Sequence, residues 1–155
     1  MKKLMMAALL ALTTLMASAE LGDMSLGVQF NYASKNSMIG LGVNYEIEVI
    51  RNVRLEPEFI YYFENKRISD YNVNLNVHYL IPTSSSTAIY PIAGFSFVSF
   101  KDHEFETTTN RCGANVGIGF EYNINPKFTF YTEQRFHIIK RWNEGVTSLG
   151  LRYQF

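Results

Sequence analysis

Nine charged residues stand on the polar faces of segments in which polar and apolar residues alternate. Side chains two positions apart in a strand point to the same side, so charged and apolar residues take opposite faces. On an enclosed face, carboxylates and guanidinium groups can pair with one another, and surplus carboxylates can carry protons or cations. The nine residues are Glu46, Glu48, Arg54, Glu56, Glu58, Glu121, Glu133, Arg135 and Arg152.

We interpret this set as an internal salt-bridge network with a structural role. Pairing across the predicted hairpin around residue 51 would place Glu48 opposite Arg54, while Glu133, Arg135 and Arg152 fall on adjacent predicted strands. The alternative is a proton or cation path along the surplus acids, Glu46, Glu56, Glu58 and Glu121.

The histidines give no catalytic motif. An acyl-transfer site needs a nucleophile and a base within hydrogen-bond reach, for instance a His-x-Ser sequence on one strand face. His78 is followed by Tyr79-Leu80 and His137 by Ile138-Ile139, so neither has that serine. We therefore predict no catalytic residues.

Two polar segments could bind ions or lipid phosphates. His103 stands among acids that could hold a divalent cation, Asp102, Glu104 and Glu106, but without fixed ligand spacing. We therefore predict a solvated loop, with no metal site and no cofactor. Basic charge and an interfacial ring are combined in Lys140, Arg141 and Trp142, which could touch lipid phosphates or simply lie at a membrane interface.

The elements that position these residues are predicted to be strands. Eight segments alternate between apolar and polar residues, and none is followed by a helical pattern. Short connections at residues 50–52, 82–86 and 123–126 alternate with connections at 35, 65–67, 101–110 and 140–145, of which 101–110 is predicted to be the longest loop. This pattern predicts an all-β fold, an eight-stranded antiparallel up-and-down transmembrane β-barrel.

The N-terminus has the pattern of a secretory signal peptide. Lys2-Lys3 precede an apolar stretch from Leu4 to Met16 and the small residues Ala17-Ser18-Ala19. We predict a signal peptide at residues 1–19 and one barrel domain at 20–155. No later apolar segment is long enough for a spanning helix, so the mature chain would enter a membrane as strands. The formal net charge of zero does not favour a nucleic-acid partner.

The apolar faces are predicted to point outward, into lipid. Charges within the strands would be costly in hydrocarbon but can pair inside a narrow lumen. We therefore expect arginine at Gly117, on the lumen face, to be tolerated better than arginine at Ile118. Tyrosines near the ends of the apolar faces are typical of a membrane girdle: Tyr32, Tyr45, Tyr71, Tyr79, Tyr122 and Tyr153.

The chain ends in Leu151-Arg152-Tyr153-Gln154-Phe155, an alternating apolar segment closed by an aromatic residue. With the signal peptide and the strand pattern, this segment makes the chain resemble the small eight-stranded outer-membrane barrels of Gram-negative bacteria. These are the OmpX and OmpA transmembrane-domain type, often called porin family proteins. The resemblance implies that the outer-membrane insertion machinery reads Leu151, Tyr153 and Phe155.

We therefore expect a monomeric, non-enzymatic outer-membrane barrel with a filled polar lumen and a structural or surface-interaction role. Its expected partners are outer-membrane lipid, lipopolysaccharide and, during biogenesis, the insertion machinery. Two alternatives remain at this point: a soluble secreted ligand-binding β-barrel, and a lipid A-modifying outer-membrane enzyme.

Overall fold

The computed structural model describes residues 23–35, 37–65, 68–102, 107–140 and 143–155. The predicted signal peptide, residues 1–19, lies outside the described residues. Those described form one antiparallel sheet. Its strands are β1 (Met24–Ala33), β2 (Met38–Ile50), β3 (Val53–Asn65), β4 (Ile68–Tyr79), β5 (Ile81–Pro82), β6 (Thr87–Asp102), β7 (Thr107–Asn125), β8 (Phe128–Ile139) and β9 (Glu144–Gln154).

The sheet closes into a barrel with eight strand positions around its circumference. The first and last strands pair antiparallel, with Val28 opposite Leu151. Strands β4 and β5 both pair with β6 and together form one barrel strand, which is interrupted at Leu80. The Leu80 N–H donates to the Asn52 carbonyl at 2.7 Å. The predicted eight-stranded antiparallel barrel is confirmed, and closure leaves no unpaired sheet edge.

The outer wall of the barrel is apolar and the lumen is polar. Phe30 and Ile118, for example, are 66% and 56% exposed on the outer wall. A soluble ligand-binding barrel needs the opposite arrangement, with its apolar face lining a cavity. The outward apolar face is therefore confirmed. Other large apolar side chains exposed on this wall are Val28, Leu41, Val43, Phe59, Val73, Leu75, Phe95, Val116, Phe136, Ile138, Leu149 and Leu151.

In the described part of the chain, we find no helix of the length and apolar character needed to cross a membrane.

The two ends of the barrel differ. One end, called here the turn end, carries the connections β2–β3, β5–β6 and β7–β8 together with both ends of the described chain. Asn52 has a left-handed conformation there, with φ of 65°, which asparagine tolerates well. The opposite end, the loop end, carries the connections after β1, β3, β6 and β8.

The predicted loop at residues 101–110 is wrong in extent. Strand β6 continues to Asp102 and β7 begins at Thr107, with Phe100 paired to Thr109 and Lys101 to Thr108. Threonine favours strands. Residues 101–102 and 107–110 therefore belong to paired strands at the loop end.

Apolar residues on both faces of β3 and β6 have a structural explanation. Ile60 and Tyr62, the exceptions on the polar face of β3, are buried inside the barrel in a cluster with Met38 and Val146. A second cluster contains Val98, Phe100 and Ile139. Both clusters lie in the loop-end part of the lumen, so polar packing gives way to apolar packing there.

The expectation for Gly117 needs correction. A Cβ atom at this position would collide with the carbonyl oxygen of Gln134 and lie 2.9 Å from the Cα atom of Arg135. Gly117 does lie on the lumen side, but the neighbouring strand leaves no space for any side chain. Arginine at Gly117 should therefore disrupt folding for a steric reason.

Depth along the outer wall supplies a cleaner test of the lipid-facing assignment. Ile118 and Ile124 on β7 are 56% and 54% exposed, and Ile124 lies beyond Tyr122, next to the turn end. Arginine in place of a lipid-facing residue costs about 2–4 kcal/mol at the midplane and about 0–1 kcal/mol near an interface. We predict that Ile118→Arg lowers the free energy of unfolding in lipid vesicles far more than Ile124→Arg, as measured by denaturant titration. Equal losses would contradict the lipid-facing assignment.

Candidate functional site: the charged lumen

Seven of the nine predicted lumen charges are almost completely buried inside the barrel. The strands carry them inward because they occupy the positions that alternate with the outward apolar residues. A charge so enclosed must be paired or hydrogen-bonded, since neither lipid nor bulk water can compensate it. These residues are Glu46, Glu56, Glu58, Glu121, Glu133, Arg135 and Arg152, each at most 3% exposed.

Arg152 on β9 is the centre of the turn-end half of this network. Its guanidinium NH2 lies 3.0 Å from Glu56 and Glu133 and 3.2 Å from Glu46. Its NH1 lies 3.5 Å from Glu121. One guanidinium thus connects carboxylates from β2, β3, β7 and β8. Its central carbon also lies 3.6 Å from the centre of the Tyr131 ring, in a cation–π contact.

Arg135 on β8 forms a second centre. Its two terminal nitrogens contact the two carboxylate oxygens of Glu58 at 2.5 and 2.7 Å, a bidentate pair. It also donates to the Ser148 hydroxyl at 3.0 Å. Glu58 accepts a further hydrogen bond from Asn74 at 2.6 Å and another from Gln29. Both oxygens of this carboxylate are therefore fully engaged.

Arg54 and Glu48 are arranged differently from the expectation. The two residues are paired in register, but the Arg54 guanidinium contacts Glu121 at 2.8 Å and Glu46 at 3.3 Å. Glu48 instead accepts a hydrogen bond from the backbone N–H of Asn52 at 3.1 Å. The register shifts between Glu48 and Ile50, next to the turn. Glu48 thus stabilises the β2–β3 hairpin, and the Arg54 side chain extends into the lumen.

Several further polar residues complete the network, and of these the tyrosines were missed by sequence reasoning. The His78 ring lies between Glu46, 3.0 Å from Nδ1, and Glu56, 3.5 Å from Nε2. The Tyr90 hydroxyl donates to Glu133 at 2.9 Å, and the Tyr131 hydroxyl donates to Gln29 at 2.7 Å. His78 stood on a polar face of the pattern, whereas inward tyrosines look like apolar residues in a sequence. Buried asparagines add further bonds: Asn44, Asn74, Asn76 and Asn115.

Two sets of side chains in this network could in principle hold a metal ion. Glu46, Glu56 and His78 form one, and Glu56, Glu58 and Glu133 the other, with ligand atoms within 4.8 Å of one another. Both sets already contact Arg152 or Arg135. The guanidinium groups occupy the positions from which a metal ion would neutralise these carboxylates.

A separate acidic group lies nearer the loop end, where sequence reasoning marked no site. Asp70, His137 and Glu144, called here the loop-end cluster, are 3%, 0% and 4% exposed. His137 and Glu144 are cross-strand neighbours, with Nδ1 and Oε1 3.7 Å apart. The polar loop set predicted around His103, with Glu104 and Glu106, lies outside the described residues, as do Arg141, Trp142 and the side chain of Asp102.

Comparison with known families decides the class of the protein. The profile of the family "outer membrane protein beta-barrel domain" matches residues 5–155. The chain belongs to this family. The strands of this outer-membrane barrel therefore cross the bilayer, and the apolar wall meets its hydrocarbon. In bacterial barrels the short turns face the periplasm, and by this rule we expect the loop end to face the cell exterior.

Solved structures of small barrels share the fold. The N-terminal barrel of Pseudomonas aeruginosa OprF is 15% identical, with a TM-score of 0.71, covering 84% of this chain and 97% of that one. Neisserial surface protein A is 16% identical, with a TM-score of 0.66 and coverages of 86% and 96%. OprG from Pseudomonas aeruginosa is 13% identical, with a TM-score of 0.57 and coverages of 86% and 96%. No curated protein sequence matches the chain significantly.

The stability of the outer-membrane barrel should depend strongly on Arg152. Arg152→Met leaves Glu46, Glu56 and Glu133 without their shared guanidinium partner, and breaking a buried ion pair costs about 3–5 kcal/mol. Arg54→Met is the matched control, because that side chain is 21% exposed and its partners Glu46 and Glu121 keep their contacts with Arg152. We predict a large loss of unfolding free energy for Arg152→Met and a smaller one for Arg54→Met, measured by denaturant titration in vesicles.

A second substitution should show whether the loss comes from charge. Glu56→Gln in the Arg152→Met background removes one uncompensated carboxylate while keeping its shape. Part of the lost stability should return in the double variant. If Arg152→Met is as stable as the unaltered protein, the network is not what holds the lumen together.

Proposed function

We propose that this protein is a non-enzymatic, monomeric barrel that stabilises the outer membrane and interacts at the cell surface, without forming a solute pore. The supporting observation is that Arg152 connects carboxylates on both sides of the lumen, as described above. Eight strands enclose a space that side chains can fill. Closure of the sheet leaves no edge for another copy to extend, which supports the monomeric state.

The environment of the described histidines supports a non-enzymatic role. His78 contacts two carboxylates and stacks on Tyr90, with ring centres 4.8 Å apart. Within the described residues, neither His78 nor His137 has a hydrogen bond to a serine. A lipid A-modifying enzyme would need a nucleophile and base in contact with lipid, whereas both of these histidines are buried inside the barrel.

The filled lumen predicts low conductance. In planar lipid bilayers, the refolded protein should give no stable large conductance steps, because its charged side chains are bonded to one another across the lumen. A wide porin recorded in the same bilayers is the positive control. Stable large steps from the refolded protein would contradict the proposal that no solute pore exists.

The surface role is proposed for a basic extracellular rim formed by Lys101, Arg111 and Lys140. These residues lie at the loop ends of the neighbouring strands β6, β7 and β8, where Lys101 and Lys140 are exposed. Arg111 donates to the Lys140 carbonyl at 2.7 Å, which holds the β7 and β8 ends together. One structure of the similar barrel Ail, from Yersinia pestis, is a complex with the heparin analogue sucrose octasulfate. We propose that the rim of this protein contacts lipopolysaccharide phosphates.

Charge reversal tests the rim. The double variant Lys101→Glu and Lys140→Glu should weaken binding of the refolded barrel to vesicles containing phosphorylated lipid A, most clearly at low salt. Lys127→Glu, an exposed residue at the opposite end, is the control and should leave binding unchanged. Dephosphorylated lipid A should not distinguish the rim variant from the unaltered protein. Equal binding of the rim variant to phosphorylated vesicles would disprove the contact.

Biogenesis is proposed to use both ends of the chain. Residues 1–19 would be removed as a signal peptide, and Leu151, Tyr153 and Phe155 would present the insertion signal. In support, Phe155 is 70% exposed and packs edge-on against Tyr153, with ring centres 5.5 Å apart. Its backbone N–H donates to the Met24 carbonyl at 3.0 Å, so the last residue also helps to join the two ends of the barrel.

A further inference from the structure

The loop-end cluster contains a histidine whose two ring nitrogens both lack a hydrogen bond, whereas His78 in the turn-end network is bonded to Glu46 through Nδ1. Both ring nitrogens of His137 and the Oε1 atom of Glu144 are buried and have no hydrogen-bond partner. The hydroxyl of Tyr62 on β3 is also buried without one. Buried polar atoms without partners are rare in native proteins and call for a water, an ion or a functional explanation. Here several of them gather in one layer of the lumen.

The electrostatics of the cluster favour a cation. Asp70 on β4 and Glu144 on β9 are buried carboxylates on opposite walls of the barrel, so two acidic groups lie in this half of the lumen. Arg135, a neighbouring guanidinium group, is committed to the bidentate pair with Glu58. A divalent cation between His137 and Glu144 would offset the negative charge of this layer and bind the unpartnered atoms.

We propose that His137 and Glu144 bind one divalent transition-metal ion of the zinc type, with Asp70 on the facing wall adding negative charge to the site. Zinc lies about 2.0–2.2 Å from histidine nitrogen and carboxylate oxygen, so one ion can contact two such atoms up to about 4 Å apart. Nδ1 of His137 and Oε1 of Glu144, at 3.7 Å, meet that condition. An imidazole ligand favours zinc and similar metals over calcium or magnesium, which prefer oxygen ligands.

The surroundings suit such a site. Met38 and Val146 are buried in a cluster with Tyr62, and Val98 and Ile139 in a second cluster nearby. An apolar shell limits water access and strengthens metal–ligand interactions. The inferred site lies in the extracellular half of the lumen, so it would take its ion from outside the cell. This role is independent of the proposed structural function.

Metal analysis of the refolded protein tests the site. Tag-free protein in detergent micelles is dialysed against Zn²⁺, and bound zinc is measured by mass spectrometry. We expect one ion per chain. His137→Gln and Glu144→Gln should each weaken binding by more than about tenfold, because even residues that only support metal ligands change affinity by that much. With Co²⁺ as a probe, the unaltered protein should give the visible absorption of a four-coordinate site.

Two histidine controls locate the ion. His78→Gln alters the turn-end network, and His103→Gln alters the polar segment after β6; both should retain zinc. The change in gel mobility on heating shows which variants have folded. If one ligand variant fails to fold, the other ligand variant still tests the site, and either control is sufficient if the other fails to fold. The proposal is overturned if the unaltered protein binds no stoichiometric zinc, if His137→Gln and Glu144→Gln retain it, or if either control abolishes binding.

Discussion

The buried pairing of Arg152 with Glu46, Glu56 and Glu133 is the interaction on which the rest of the structure depends. The outer wall must be apolar because it faces hydrocarbon, so the charges in the middle of the strands are directed into the lumen. Charges confined there need partners within reach. One guanidinium group spans the lumen and satisfies carboxylates from several strands, which makes a narrow, filled barrel compatible with so many acidic residues.

The network is also coupled to closure of the sheet. Arg152 lies on β9, the strand that pairs with β1 and completes the barrel. Its partners lie on β2, β3, β7 and β8. The ion pairs therefore reach their final geometry only when the last strand has joined the first. Stability gained from charge pairing is thus tied to the closed state and is absent from an open sheet.

Much of the fold could be predicted from the sequence because alternation in a strand sets the face of every residue. That rule alone placed Glu56, Arg135 and Arg152 inside the barrel. It could not find their partners, since contacts across the lumen depend on barrel size and stagger. The predicted position of Glu48 opposite Arg54 is confirmed by the register, but the Arg54 guanidinium contacts Glu121 on β7 instead. The inward Tyr90 and Tyr131 were missed because alternation does not separate a buried aromatic residue from a lipid-facing one.

The contrast between the two halves of the lumen has a physical meaning. Around Arg152 and Arg135, carboxylates meet fixed guanidinium groups that the protein supplies itself, an arrangement that favours rigidity and leaves little scope for a ligand. Around His137 and Glu144, polar atoms are buried among apolar residues without such partners, which lowers the stability of the folded state. Packing demands alone do not explain polar side chains at these positions, because Met38, Ile60 and Val98 show that apolar residues fit this layer. A ligand that binds only the folded barrel would offset the destabilisation, and a divalent cation matches the charge and atom types present.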